Sequence, residues 1–242
     1  GERYDTLPIP VDITAAGWAD EQNENLLTIL GYLKASDAST RTLYVDPEAG
    51  DYNTIQAAMD AANSYTPSPT PEAPWVVLVR PGSYSEDLTF YPWVNLVGWP
   101  DQDNLVKVLS ATTASHAISL GANEKIRVVG ISFEQSSATA NPLFLQGGHP
   151  SSSATFSKCK FTAQGNTGEC YSTAAITRVY DSEFVGGSVN PTDYAVSAGE
   201  DSDVVLSRCS LYGASGILVG HSAALAISDC TLALGGTYGV RV

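Results

Sequence analysis

Asp181 and Glu183, separated by one residue, form the arrangement in this sequence closest to catalytic chemistry. Glycoside hydrolysis needs two carboxyl groups across one cleft, about 5–5.5 Å apart for retention or about 6.5–9.5 Å for inversion. With Ser182 pointing inward, the two carboxylates would face outward from the same strand at roughly 7 Å, a compatible spacing. A second group is Trp93 and Trp99 with Asp101 and Asp103. Indole faces stack on sugar rings and carboxylates accept sugar hydroxyls, which makes these four a candidate glycan-binding group; the alternative is that the tryptophans pack a loop. The run Asp101-Gln102-Asp103-Asn104 offers oxygen ligands but lacks a full calcium-loop spacing, and reads more simply as a turn. His116, His149 and His221 are scattered and suggest no triad, and no Gly-x-Ser-x-Gly elbow is present. Cys159, Cys170, Cys209 and Cys230 do not have zinc-site spacing. Neither a metal nor a cofactor is expected.

The elements that must hold these residues repeat along the chain. Val128-Val129-Gly130-Ile131-Ser132-Phe133 returns as Phe156-Ser157-Lys158-Cys159-Lys160-Phe161 and as Val179-Tyr180-Asp181-Ser182-Glu183-Phe184. It returns again as Leu206-Ser207-Arg208-Cys209-Ser210-Leu211 and Ile227-Ser228-Asp229-Cys230-Thr231-Leu232. The recurring position falls at Ile131, Cys159, Ser182, Cys209 and Cys230, a step of 21 to 28 residues that specifies one solenoid coil per repeat. Read as strands with this position inward, the phrases make Cys159, Cys209 and Cys230 buried thiols rather than disulfides. The residue before it, Lys158, Asp181, Arg208 and Asp229, alternates in sign and predicts an outer ladder of opposite charges. That ladder is a simpler role for Asp181 than catalysis, each rung being worth tenths of a kcal/mol.

A second set of strands is expected at residues 117–120, 143–145, 194–196, 216–219 and 238–240, with a third short one per coil. Ahead of them, Thr42-Leu43-Tyr44-Val45 reads as a strand, and Ile55, Ala58, Met59 and Ala62 form the apolar stripe of a helix fit to cover the first coil's open end. Residues 64–74 hold four prolines and read as an exposed extended loop. Residues 1–41 stand apart as an irregular arm. In it Leu26, Ile29, Leu30 and Leu33 share one face of a short helix that either docks on its own domain or self-associates at a trimer axis. The fold class is all-β: a right-handed parallel β-helix over residues 42–242, with a capping helix and this N-terminal arm. A net charge of −14 repels phosphate backbones and anionic lipid, so nucleic acid and membrane are not expected partners.

At Tyr52-Asn53-Thr54-Ile55-Gln56-Ala57-Ala58-Met59-Asp60-Ala61-Ala62 the chain resembles the start of the pectin-lyase-like superfamily of right-handed β-helices. Val77-Leu78-Val79-Arg80-Pro81-Gly82-Ser83-Tyr84-Ser85-Glu86 is similar to that superfamily's second signature, and Val94-Asn95-Leu96-Val97-Gly98 to its third. The superfamily includes pectin methylesterases, polysaccharide lyases, glycosidases and bacteriophage tail and virion proteins, so the resemblance implies the fold and leaves the activity open. The methylesterase pattern is broken here. Where it carries Gln-Asp-Thr-Leu this chain reads Ala214-Ser215-Gly216-Ile217-Leu218, and its Asp-Phe-Ile-Phe-Gly and Gly-Arg-Pro-Trp pieces are missing. An Asp-rich calcium groove with a basic residue, as lyases need, is not found either.

An arm followed by an acidic β-helix resembles virion proteins of tailed bacteriophages. The chain stops at Tyr238-Gly239-Val240-Arg241-Val242, inside the expected first strand of another coil, so more chain or another subunit is expected to cover that end. The resemblance implies a non-enzymatic virion structural protein (tail spike, fibre or capsid decoration), homotrimeric, bound to other virion proteins through its arm and to host-surface polysaccharide. The alternatives are a secreted polysaccharide-active enzyme (lyase or glycoside hydrolase) or carbohydrate-binding module, and a self-assembling interaction protein unrelated to viruses.

Overall fold

Along Ile176–Tyr180 the buried residues are Thr177 and Val179, and along Asp203–Ser207 they are Val204 and Leu206. This period-two burial is what one wall of a solenoid requires, and the two strands pair in parallel with Val179 opposite Leu206. The structure, a computed structural model, describes residues 41–48, 50–99, 105–110, 116–120, 124–135, 143–147, 152–163, 170–173, 176–185, 196–198, 202–213, 217–219, 223–234 and 240–241. The arm, with Leu26, Ile29, Leu30 and Leu33, lies outside them.

Three parallel sheets build a right-handed β-helix. Sheet I has eight strands, Thr42–Val45, Trp75–Val79, Val94–Gly98, Lys125–Val129, Ser153–Ser157, Ile176–Tyr180, Asp203–Ser207 and Ala224–Ser228. Sheet II has seven, from Gly82–Ser85 and Val106–Leu109 through Ile131–Gln135, Lys160–Ala163, Glu183–Val185 and Ser210–Gly213 to Thr231–Leu234. Sheet III also has seven, running from Thr89–Phe90 to Val240–Arg241, and includes the expected second set at His116–Leu120, Leu143–Gly147, Val196–Ala198 and Ile217–Val219.

The repeated phrase is not one strand, as its pattern suggests, but a corner joining sheets I and II. Lys158, Asp181, Arg208 and Asp229 sit at the bend with φ of 53°, 50°, 54° and 52°, and Gly130 takes the same place at 69°. Left-handed backbone costs a non-glycine residue roughly 1–2 kcal/mol. The corner offsets this with regular hydrogen bonds: Lys158 N–H donates to Tyr180 O, Asp181 N–H to Ser207 O and Arg208 N–H to Ser228 O, at 3.0–3.1 Å. The next residue then turns inward as expected, with Ile131, Cys159, Ser182 and Cys209 all buried. Its side chain completes the bend. Ser182 Oγ donates to Tyr180 O at 2.7 Å and accepts Cys159 N–H at 3.0 Å, and Cys230 Sγ accepts Cys209 N–H at 3.3 Å. Cys159, Cys209 and Cys230 are thiols rather than disulfides, the first two buried and the third partly exposed.

Inside sheet II, Phe133, Phe161 and Phe184 are register partners whose rings stack at 5.6 and 4.9 Å, and Leu211 and Leu232 continue the column. Leu232 is 42% exposed and Ile227, partner of buried Leu206, 37%.

Helix α1, Ile55–Ser64, covers the other end. Its stripe Ile55, Ala58, Met59 and Ala62 is fully buried as expected, each large side chain contributing about 1.5–3 kcal/mol. Thr54 Oγ1 caps Ala57 N–H, while both oxygens of Glu86 accept from Ile55 N–H (2.9 Å) and Gln56 N–H (2.8 Å). The Gln56 side-chain amide imitates a strand: its Oε1 accepts Thr89 N–H at 2.7 Å and its Nε2 donates to Thr89 O at 3.3 Å. It thereby pairs with the first strand of sheet III, an edge that no other described strand covers. Residues 64–74 are largely exposed, pinned by a Thr70–Ala73 bridge and by Tyr65, whose ring lies 4.6 Å from Trp75.

Candidate functional site

The corner places Asp181 and Glu183 differently from the one-strand pattern. They do not flank an inward residue on one strand: Asp181 is the left-handed bend and Glu183 opens a strand of sheet II. Each is tied to a cation of a neighbouring coil. Arg208 donates to Asp181 through Nε at 2.7 Å and Nη2 at 3.0 Å, a two-bond fork, and Lys160 Nζ lies 2.9 Å from Glu183. The Asp181–Arg208 rung is the expected opposite-charge pair of the outer ladder. Both pairs are about a third exposed, so each adds at most about 1 kcal/mol.

The two tryptophans of the candidate glycan group are held apart. Trp93 precedes the strand Val94–Gly98, with φ of 59° and its N–H bonded to Lys125 O, and Trp99 follows that strand. A five-residue strand places them about 20 Å apart, so they offer two separate surfaces. Asp101, Asp103, His149 and His221 lie outside the described residues; His116 and Cys170 each open a strand of sheet III. Among the described residues no group of three His, Cys, Asp or Glu side chains is placed to hold a metal ion.

Trp99 instead meets residues to which the sequence patterns give no binding role. A shallow cleft of about 550 Å³ is lined by Asp46, Pro47, Glu48, Arg80, Pro81, Gly82 and Trp99. These residues follow the first three strands of sheet I, and the backbone ties them rung to rung: Arg80 N–H donates to Val45 O and Trp99 N–H to Val79 O. The Arg80 guanidinium lies 4.9 Å from the Trp99 ring centroid, and its Nη1 is 3.5 Å from Asp46 Oδ2. Asp46 is held by a turn in which its Oδ1 accepts Glu48 N–H at 3.0 Å and its O accepts Gly50 N–H at 3.2 Å. Arg80 O accepts the Tyr84 hydroxyl at 2.8 Å; burial, with Asp46 and Glu86 nearby, raises that phenol to about 12. The cleft thus joins fixed acceptors, a guanidinium donor and an aromatic ring. The detectable signal was the residue after each sheet I strand, but Asp46 and Glu48 precede the clear repeats.

No protein-family model matches the chain, and no curated protein sequence matches it. Among solved structures it is similar to a point mutant of a pectin methylesterase crystallised with a hexasaccharide, with a TM-score of 0.50 and 15% identity over 77% of this chain. The match spans 66% of that enzyme's own length, just under two thirds. Pectin methylesterases from Aspergillus niger (TM-score 0.45, 15% identity, 84% of each chain) and Erwinia chrysanthemi (0.41, 13%, 79% of this chain and 92% of that one) also match. At these identities the likeness is one of fold alone: the chain is a parallel β-helix, as that enzyme is.

Proposed function

We propose that this is a non-enzymatic β-helical protein of a bacteriophage particle, a tail spike, fibre or capsid decoration. In this reading residues 1–41 attach it to other virion proteins, the β-helix projects as a component of a homotrimer, and its surface contacts host polysaccharide. The observation that carries the non-enzymatic claim is the pairing of Asp181 with Arg208 and of Glu183 with Lys160, which uses the candidate catalytic carboxylates as scaffold. The particle assignment rests on the resemblance of the arm and acidic solenoid to virion proteins. Deleting residues 1–41 should abolish incorporation into particles while the β-helix still folds; normal incorporation of the truncated protein would overturn it.

A second reading, a secreted carbohydrate-binding module or polysaccharide-active enzyme, is favoured by the Arg80–Trp99 cleft. Cleavage of any acidic or neutral glycan, read as new reducing ends or released unsaturated sugar, selects the enzyme. The mass in solution separates the readings further, a stable trimer supporting the particle protein.

A further inference from the structure

We infer that the cleft between Asp46, Glu48, Arg80 and Trp99 is a binding site for a neutral, hydroxyl-rich saccharide. The inference rests on the surface-binding element of the proposed function and is independent of the particle assignment. Two arginines on the same flank of the β-helix are held differently. Arg208 spends two donors on Asp181 in a close fork. Arg80 makes one loose contact of 3.5 Å with Asp46 and is held over the Trp99 ring instead, its side chain 55% exposed. A guanidinium has five N–H donors in a fixed plane, so Arg80 keeps most of its hydrogen-bonding capacity for the cleft.

The acceptors stand beside it. Asp46 is fixed by its turn, and the exposed Glu48 carboxylate adds two more oxygens. Donors and acceptors side by side are what vicinal sugar hydroxyls require, since each hydroxyl both gives and takes a hydrogen bond. The part of half-buried Trp99 that Arg80 leaves uncovered adds apolar surface of the kind that packs against the C–H face of a pyranose ring. Gly82 contributes no side chain, and the cleft's 550 Å³ falls within the usual range for small-ligand sites of about 300–1,000 Å³. Charge selects among sugars. Two carboxylates against one guanidinium, on a chain of net charge −14, disfavour uronates and sulfated glycans.

The test is titration of the full chain with cellohexaose, maltohexaose, mannohexaose and hexagalacturonate, followed by tryptophan fluorescence and saturation-transfer NMR. At least one neutral hexasaccharide should bind with a Kd of about 10 mM or tighter, and hexagalacturonate about tenfold more weakly or not at all. Trp99→Ala and Arg80→Lys should each weaken the neutral sugar about tenfold or more. Glu48→Gln, at an exposed side chain, should weaken it severalfold with an unchanged melting curve. That variant keeps the inference testable if the other two unfold. Failure of all three neutral sugars to bind, tighter binding of hexagalacturonate, or wild-type affinity in Glu48→Gln or in a folded Trp99→Ala overturns it. Absent binding with no cleavage sinks this site alone, whereas cleavage of any of the four sugars sinks the non-enzymatic reading.

Discussion

Replacing Glu86 with alanine should loosen the cap helix while leaving the solenoid interior intact. Both of its oxygens are occupied, by Ile55 N–H at 2.9 Å and Gln56 N–H at 2.8 Å. These are first-turn donors that a helix cannot satisfy from within, and Thr54 covers only Ala57. A hydrogen bond to a charged acceptor is worth about 1.5–3 kcal/mol, and negative charge at a helix N-terminus adds about 0.3–1. Water replaces some of this at half-buried Glu86, which brings the expected loss down to about 2–3 kcal/mol. Glu86→Gln retains one acceptor oxygen for two donors and should lose roughly half as much. Urea unfolding followed by far-UV circular dichroism reads both as shifts of midpoint at constant slope. An alanine variant within about 0.5 kcal/mol of wild type, or a glutamine variant as stable as wild type, would refute the anchoring role.

Four further outcomes follow from the corners and the core. A Cβ on Gly98 would lie 2.6 Å from the carbonyl oxygen of Gly130, so Gly98→Ala should cost about 1–3 kcal/mol, measured as a lower Tm. Ser182→Cys should stay within about 1 kcal/mol of wild type because Cys230 already fills the same role beside Cys209, whereas Ser182→Val, which removes the hydroxyl, should cost about 1–3 kcal/mol. Burial pushes the Cys209 thiol to about 11, so at pH 8 native iodoacetamide labelling should reach Cys230 long before Cys209. The raised values of Cys209 and Tyr84 mean that the unfolded chain releases those protons first. Stability is therefore fully present below about pH 9 and declines as pH rises toward 11–12. A urea midpoint that stays flat over this window contradicts it.

The solenoid was legible because each coil must place a small side chain at one inward corner and a large one two residues on, and Cys159, Ser182 and Cys209 with Phe161, Phe184 and Leu211 do so. The cap helix was legible from its stripe, although nothing local marked Gln56 as the mimic of a strand or Glu86 as its N-terminal anchor. Both depend on contacts about thirty residues apart. The bend reads as continuous strand because Lys158, Asp181, Arg208 and Asp229 carry no glycine signal for their positive φ; only Gly130 does. That pattern puts Asp181 and Glu183 on one face of one strand, whereas the structure sets them at a bend, each paired with a cation of a neighbouring coil. The Arg80–Trp99 cleft was half legible: Trp99 stands out in the sequence, but its partners come from earlier coils whose repeats are irregular.

If Asp181 and Glu183 are scaffold charges, the double variant Asp181→Asn, Glu183→Gln will lose stability and nothing else. Unfolding free energy and glycan cleavage should be measured on variant and wild type together, in low salt and in 1 M salt. The ion pairs predict a loss of about 0.5–2 kcal/mol in low salt that shrinks in high salt, with no cleavage by either protein. A wild type that cleaves a glycan, and a variant that no longer does while keeping its full stability, would contradict the claim.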